Sequence, residues 1–412
     1  MKKTIVQAGK AAFNNKRVLV RVDFNVPQDE SGAITDDTRI RAALPTINFL
    51  RDAQARVVLM SHLGRPKGKT PKLSLRPVAE RLKELLAKKG SGQVQFVEDC
   101  LGETAGTAAA KLNPGDVCLL ENLRFYPEEE KNDPEFSRQL ASLGQIYVDD
   151  AFGTSHRAHA STEGVTHFLR PALAGMLLDR EIVMLSDTLN NPTRPFATII
   201  GGAKISSKIG VLDHLLKRVE VLIIGGAMAF SFLKARGLEV GKSLVENDQL
   251  EYCRKLEAEA KAKGIKLVLP LDVVCAEEIK AGVPTTVVSV EHIPAGMMGL
   301  DVGPETISLI KSVLADCKTI LWNGPLGVFE VSGFEKGTYA VIDALVELTI
   351  RGVKTVVGGG DSVAALKEKG VKDSALTHVS TGGGASLEFL EGIELPGIAC
   401  LDEAEAQVST AR

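Results

Sequence analysis

The sequence lacks any marked excess of charge: 49 basic and 52 acidic residues leave a formal net charge of −3. No global field is available to hold nucleic acid or an anionic membrane, so any anion site has to be local. The six cysteines, at positions 100, 118, 253, 275, 317 and 400, include no CxxC pair and no metal-ligand spacing. Their scatter argues against a disulfide framework or a zinc site and for small buried apolar residues in a reducing compartment. A run of about 18 apolar residues, the length a membrane-spanning helix needs, is absent. The opening MKKTIVQAGKAAF has neither the apolar core nor the cleavage site of a secretory signal. A cytoplasmic protein is expected.

At 412 residues, with 44% apolar and 25% charged positions, the composition is that of an ordinary soluble protein. The length exceeds what one core usually serves, which predicts two domains of roughly 200 residues. Short β-rich runs recur, each followed by a Gly-rich or polar turn and a helical pattern. They are RVLVRVDF, RVVLM, VCLL and IYVDD in the first half, and FATII, VEVLII, KLVLP, TILW, TVV and THVS in the second. Alternation at this spacing predicts βαβ units and two doubly wound, Rossmann-like α/β domains with parallel sheets. LAGMLLDREIVMLSDTLN, residues 173–190, reads as one helix ended by Pro192 and Pro195, and the interdomain boundary is expected there.

In open parallel sheets, ligands bind beyond the carboxyl ends of the strands. In RVLVRVDFNVP, Val18, Val20, Val22 and Phe24 alternate on one face, while the other face turns polar and ends in Asp23 and Asn25. The later strand ends and loops of this half add Arg39, His62, Arg65, Arg124, Arg157 and His159. Guanidinium forks suit carboxylate and phosphate oxygens. A small, multiply anionic ligand is expected at this rim, with Asp23 and Asn25 suited to its hydroxyls.

The second half ends its strands in glycine: FATIIGGAKISSK, VLIIGGAMAF, TVVGGGDSVAA and HVSTGGGASLEF. Glycine after a strand lets backbone N–H groups approach a ligand closely, and the next helix turns its positive end to the same place. Each such turn alone is packing; four on one sheet point to a phosphate or nucleotide. Lys204 and Lys208 stand four apart and are expected on one side of the first of these helices. Asp361 opens the helix after GGG, where a carboxylate suits magnesium.

Other signals have plainer readings. Arg41 and Arg51 are expected to be solvated surface charges. HRAH, residues 156–159, lacks the Glu and further ligands of a zinc site. GLEVGKS, residues 237–243, is one residue short of a Walker loop and follows no strand, so it reads as a plain connection. Asp149 and Asp150 read as strand-end caps paired with nearby arginines, not as a catalytic dyad. Glu330 is by itself either a surface charge or a ribose ligand.

RVDFNVP, SHLGRP, ENLRF, GTSHRAHAS, GGAKISSKI, IIGGAMAF, LWNGPLGVFE, GGGDS and VSTGGGASLEFLEG, in this order, closely resemble phosphoglycerate kinase of the bacterial type. The resemblance spans about residues 16–400. It implies a glycolytic enzyme that moves a phosphoryl group reversibly between 1,3-bisphosphoglycerate and ADP, with magnesium. Carried over, Asp23, Asn25, Arg39, His62, Arg65, Arg124, Arg157 and His159 bind the glycerate, and Arg39 also reaches the transferring phosphoryl. Lys204, Lys208, Gly225, Gly226, Asn323, Leu326, Glu330, Gly359, Gly360, Asp361 and Ser362 bind the nucleotide, with Glu330 at the ribose and Asp361 at the metal. The resemblance further implies that the tail returns to the first domain. That gives domains of 1–178 plus 393–412 and of 179–392, in a monomer.

Phosphoryl transfer asks for in-line positioning and charge neutralisation more than covalent work. Arg39, Lys208 and the backbone N–H groups at Gly360 and Gly383 are therefore the expected catalytic groups, with no general base and no covalent nucleophile. A nicotinamide dehydrogenase would share the fold but needs a GxGxxG motif, which is missing. A non-catalytic binder of anionic metabolites leaves the glycine face unexplained. Transfer needs reacting atoms about 3–3.5 Å apart, so a hinge near residues 173–195, aided by Gly201 and Gly202, is expected to close over both substrates.

Overall fold

A computed structural model describes residues 1–87 and 93–405. The chain divides into two compact units, Met1–Val183 with the segment from Glu394 onward, and Met184–Ile393. The last seven residues of the expected tail, 406–412, lie outside the described residues.

The first unit is built on six parallel strands: β1 (Arg17–Val22), β2 (Arg56–Met60), β3 (Val94–Val97), β4 (Val117–Leu120), β5 (Ile146–Asp150) and β6 (Ala172–Ala174). They lie in the order β3-β4-β2-β1-β5-β6. Every residue of β1 after Arg17 is buried, because helices cover both faces of a parallel sheet. One face carries Val18, Val20, Val22 and Phe24 into a core shared with Ile40, Ile47, Leu50 and Leu82 of the helices Thr38–Asp52 and Arg76–Ala87. Register sets Arg21 between Met60 of β2 and Asp149 of β5, at the carboxyl end of the central strands. The tail is stitched to the same unit. Asp402 donates its N–H to Ala172 O at 2.9 Å and accepts from Lys3 N–H at 2.7 Å, and Gly397 N–H reaches Ser155 O at 2.9 Å.

The second unit has six parallel strands, β7 (Phe196–Ile200), β8 (Val221–Ile224), β9 (Lys266–Val268), β13 (Thr319–Asn323), β14 (Lys354–Gly358) and β15 (His378–Val379), in the order β15-β14-β13-β7-β8-β9. Trp322, Ile320 and Ile199 anchor its core. Between β9 and β13 the chain adds a separate antiparallel sheet, β11-β10-β12, from β10 (Asp272–Ala276), β11 (Thr286–Ser289) and β12 (Met298–Val302). This sheet has no counterpart in the strands read from sequence.

Three local expectations are corrected. Residues 173 and 174 belong to β6, and the helix runs Met176–Asn190, because they pair with Val148 and Asp149 of β5. The boundary between the two units falls inside this helix. Arg51 is 6% exposed, its guanidinium donating to Gly115 O, so it is a buried tie and not a solvated charge. Asp149 and Asp150 make no ion pair with arginine among the described residues: Asp149 accepts from Ala151 N–H, and Asp150 accepts from Leu177 and Leu178 N–H.

Candidate functional site

In the first unit three strand ends are tied together at one residue. Gly64, two residues past His62 in the loop after β2, donates its N–H to Asn25 Oδ1 at 2.9 Å, and its carbonyl accepts from Arg124 Nη1 at 2.9 Å. Gly64 has φ +63°, a backbone conformation that favours glycine, and a Cβ there would also crowd Leu73 Cδ2 at 2.9 Å. Asn122 reinforces the arrangement by accepting from Leu63 N–H and donating to Leu63 O and Leu73 O. The loops after β1, β2 and β4 thus form one rigid rim, and Asn25 and Arg124 are oriented by it.

Arg39 is the second residue of the helix Thr38–Asp52, not part of a loop, and its Nη1 meets Asp23 Oδ2 at 2.9 Å. Arg65 and Arg157 are exposed, the latter donating to His156 Nε2 at 3.1 Å. His62 and His159 are buried. Burial holds the His62 imidazole well below its ordinary pKa of 6.5, and the positive charges of Arg21, Arg124 and Arg39 deepen the effect. Burial, then Arg21, Arg124 and Arg157, push His159 down to about 4. Both rings are neutral at pH 7. The rim therefore combines fixed guanidinium charge with neutral donors, a combination suited to a polyanion bearing hydroxyls.

Arg21 was not among the residues expected at this site. It is 1% exposed and donates to Ser161 Oγ at 2.8 Å, to the Val22 carbonyl, and across 3.0 Å to His62 Nδ1. It stands one residue from the end of β1, on the face that turns polar toward Asp23 and Asn25, and as a charge inside RVLVRV that placement was the available sign.

In the second unit the loops after β7, β8 and β13 are in near-contact. A Cβ on Gly201 would lie 2.1 Å from Pro325 O, one on Gly225 2.1 Å from Leu326 Cδ2, and one on Gly226 2.5 Å from Gly202 N. These glycines let the three loops close on one another. Gly360 and Gly383 differ: nothing lies within 4 Å of where their Cβ would stand, so their backbone is open to an approaching group. Gly359, at φ +91°, would drive a Cβ to 2.8 Å from Asn323 Nδ2.

Lys204 and Lys208 do not lie on a helix as expected. Both precede the helix Ile209–Leu215, and Lys208 is its N-cap residue, because Lys208 N–H closes a turn onto Ile205 O. Lys208 Nζ donates to Asn323 Oδ1, while the buried Asn323 Nδ2 has no hydrogen-bond partner among the described residues. Burial lowers the Lys208 pKa, and the carboxylates of Asp361 and Glu391 act against it. Asp361 is exposed at the second position of the helix Gly360–Glu368. Ser362 is buried and its Oγ accepts from Gly324 N–H at 2.6 Å, joining the β13 and β14 loops.

Gly226, Leu326, Glu330 and Asp361 line one cavity of about 380 Å³, together with Lys242 and Leu244. The segment containing GLEVGKS, read as a plain connection, is thus part of its wall. Gly241 makes this possible: at φ +58° it packs against the carbonyls of Met297 and Pro294, and Lys242 N–H bonds to Met297 O at 2.7 Å. Lys242 is the one cation among the residues that line the cavity.

Residues 9–393 match the family model described as phosphoglycerate kinase. A phosphoglycerate kinase of Thermosynechococcus vestitus is 56% identical over 403 residues, covering 98% of this chain and 100% of that one. The cytosolic phosphoglycerate kinase of Triticum aestivum is 55% identical over 403 residues, with 98% and 99% covered. Among solved structures, phosphoglycerate kinase from Coxiella burnetii superposes with a TM-score of 0.84 at 40% identity, covering 94% of this chain and 96% of that one. The enzyme from Pyrococcus horikoshii gives 0.79 at 31% identity over the same shares. With an arginine-rich rim on one parallel sheet and a glycine-lined rim on the other, this chain belongs to the phosphoglycerate kinase family of phosphotransferases.

Proposed function

We propose that the two units of this kinase divide its substrates, the first holding 3-phosphoglycerate or 1,3-bisphosphoglycerate and the second ADP or ATP. Asp23, Asn25, Arg39, His62, Arg65, Arg124, Arg157 and His159 form the glycerate site. The observation that supports it best is the Gly64 peptide bracketed by Asn25 and Arg124, which fixes donors in advance of the ligand. Lys204, Lys208, Gly225, Gly226, Asn323, Leu326, Glu330, Gly359, Gly360, Asp361 and Ser362 form the nucleotide site. Of these, Ser362 acts by joining loops, since its hydroxyl already accepts from Gly324.

The chemistry follows from charge. Arg39 and Lys208 neutralise the oxygens of the moving phosphoryl group, and the open N–H groups at Gly360 and Gly383 add donors that need no reorganisation. An acyl phosphate releases a stable carboxylate, so no general base is required, and a neutral His62 serves as a ligand. Magnesium suits Asp361: the carboxylate is exposed and makes no ion pair among the described residues, and this ion usually takes one or two carboxylates and completes its shell with phosphate oxygens and water. The ion would screen phosphate charge during transfer.

Transfer also requires the two ligands to meet and water to leave. We assign the required movement to residues 173–195, with Gly201 and Gly202 as helpers. Small-angle scattering tests it: the radius of gyration is expected to fall with both substrates bound and not with either alone. The enzyme acts on small molecules, and we propose that it does so as a cytoplasmic monomer. All six cysteines are free, and among the described residues no helix is long and apolar enough to cross a membrane. A coupled assay of ATP-dependent phosphorylation of 3-phosphoglycerate, with and without magnesium, tests the reading as a whole. Activity that is indifferent to magnesium would overturn the role of Asp361.

A further inference from the structure

His62 lies in the loop just past β2 and is held from behind by a chain of buried polar groups. Arg21 Nη2 lies 3.0 Å from His62 Nδ1, and Arg21 Nε donates to Ser161 Oγ at 2.8 Å. Ser161 Oγ in turn donates to Glu129 Oε1 at 2.5 Å, while its N–H reaches Glu129 Oε2 at 2.9 Å. Arg21, Ser161 and Glu129 come from β1, the loop after β5 and the loop after β4. Arg21 and Glu129 are 1% and 0% exposed, so neither charge is relieved by water. Burial pushes the Glu129 pKa up, and Arg21 acts against it; the two charges compensate each other through Ser161.

A guanidinium has five N–H donors, no acceptor, and does not lose its proton in proteins. With His62 Nδ1 facing Arg21 at 3.0 Å, that nitrogen has to accept. A proton on Nδ1 would set two N–H groups against each other at 3.0 Å. We propose that Arg21 is a positioning residue that locks His62 as the neutral tautomer with its proton on Nε2. All three branches of the guanidinium are engaged inside the protein, by Ser161, Val22 and His62, so Arg21 acts through the ring and not on the substrate. His62 Nε2 meets no hydrogen-bond partner among the described residues, and in this tautomer it is a donor. A donor suits the carboxylate or phosphate oxygens of the glycerate; the opposite tautomer would turn a lone pair toward them. The consequence for catalysis rests on the placement of His62 at the glycerate proposed above, whereas the lock itself does not.

Two-bond proton–nitrogen correlation spectra of histidine-labelled enzyme separate the two claims, with the His62 signals assigned by their loss in His62→Gln. Without ligand at pH 7, Nδ1 is expected in the unprotonated range and Nε2 in the protonated one. In Arg21→Met a substantial Nδ1–H population should appear, and kcat/KM for 3-phosphoglycerate should fall by roughly ten- to a hundredfold, the range for one misplaced hydrogen bond to a charged partner. Ser161→Ala, a smaller change that loosens Arg21 and keeps its charge, should shift the same tautomer balance in the same direction. A wild-type ring protonated on Nδ1, or a tautomer unchanged in both variants, overturns the lock. If Arg21→Met does not fold, the wild-type spectrum and Ser161→Ala still decide. Adding 3-phosphoglycerate to the wild type should move the Nε2 signal. If the tautomer is as expected and Nε2 stays still, the lock stands and the placement of His62 at the glycerate is what fails.

Discussion

Lys208 donates to the side-chain oxygen of Asn323, and the amide nitrogen of the same asparagine is buried with no partner among the described residues. The oxygen end of Asn323 is thus taken by a cation, and the unpartnered nitrogen sits beside Gly359, where a Cβ would lie 2.8 Å away. A buried donor without a partner costs about 1–3 kcal/mol, which an arriving acceptor recovers. Asn323→Asp replaces that donor with a carboxylate that pairs with Lys208 and repels phosphate. Its nucleotide KM is expected to rise by roughly tenfold, about 1.4 kcal/mol, with the KM for 3-phosphoglycerate unchanged. Steady-state kinetics with each substrate varied in turn check both halves.

Arg39 pairs with Asp23 at 2.9 Å. If it stabilises charge that builds on the moving phosphoryl, its removal acts on the transition state more than on binding. Arg39→Ala should lower kcat by about 10²–10³-fold, the magnitude for losing one preorganised donor, and raise the KM for 3-phosphoglycerate much less. A rise in KM with kcat intact would reduce Arg39 to a simple substrate ligand.

Lys242 is exposed at the wall of the cavity proposed to hold the nucleotide, opposite in sign to Glu330 and Asp361. An exposed ionic contact is worth about 0.5–1 kcal/mol and is screened by salt. Lys242→Ala should therefore raise the nucleotide KM roughly two- to fivefold, leave kcat and glycerate kinetics alone, and flatten the salt dependence of that KM. Titrations at two ionic strengths check it.

How much of this was legible beforehand varies with what carried the signal. The parallel sheets were, because β2, β7 and β13 are near-continuous apolar runs, and β1 one broken by Arg21, buried on both faces and punctuated by Gly or charge. The sheet β11-β10-β12 was not: its strands have four or five residues, β11 is largely exposed, and β10 carries a register shift at Val274/Cys275. β11 and β12 show neither clean alternation nor an apolar run, and the VVCA of β10 sits between turns with no helical pattern after it to mark a βαβ unit. Lys204 and Lys208 were set on a helix because four-residue spacing fits one, but AKISSK first makes a turn and the helix starts at Ile209. Arg51 and Arg21 illustrate a different limit. Burial of a long cation is decided by a distant acceptor, Gly115 O for one and Ser161 with His62 for the other, and local sequence does not encode that partner. Lys242 was missed for the same reason, since a connection becomes a cavity wall only through the residues it folds against.

The last prediction concerns Asp150, whose Oδ1 accepts from Leu177 and Leu178 N–H at the first turn of the helix Met176–Asn190, while Thr46 lies beside the carboxyl and Oδ2 is buried with no well-formed hydrogen bond among the described residues. Burial raises its pKa from 3.8 to about 7. An acid whose pKa is higher folded than unfolded keeps its proton longer in the native state. It therefore adds stability at low pH that is lost as pH climbs from about 4 to about 7. Asp150→Asn retains the Oδ1 acceptor and removes the titration, at a pH-independent cost of about 1–3 kcal/mol for a buried amide donor. Asp149, also raised to about 7, keeps its own burial penalty in both proteins, so the difference between them isolates Asp150 apart from their mutual repulsion. The variant is expected to be the less stable protein near pH 4.5 and to close or reverse that gap by pH 8. Urea unfolding at four pH values, with the buried-carboxyl infrared band as a second readout, measures it. A stability gap that stays constant across this range would mean that Asp150 is already ionised in the native protein and that the two helix N–H groups hold it as a carboxylate.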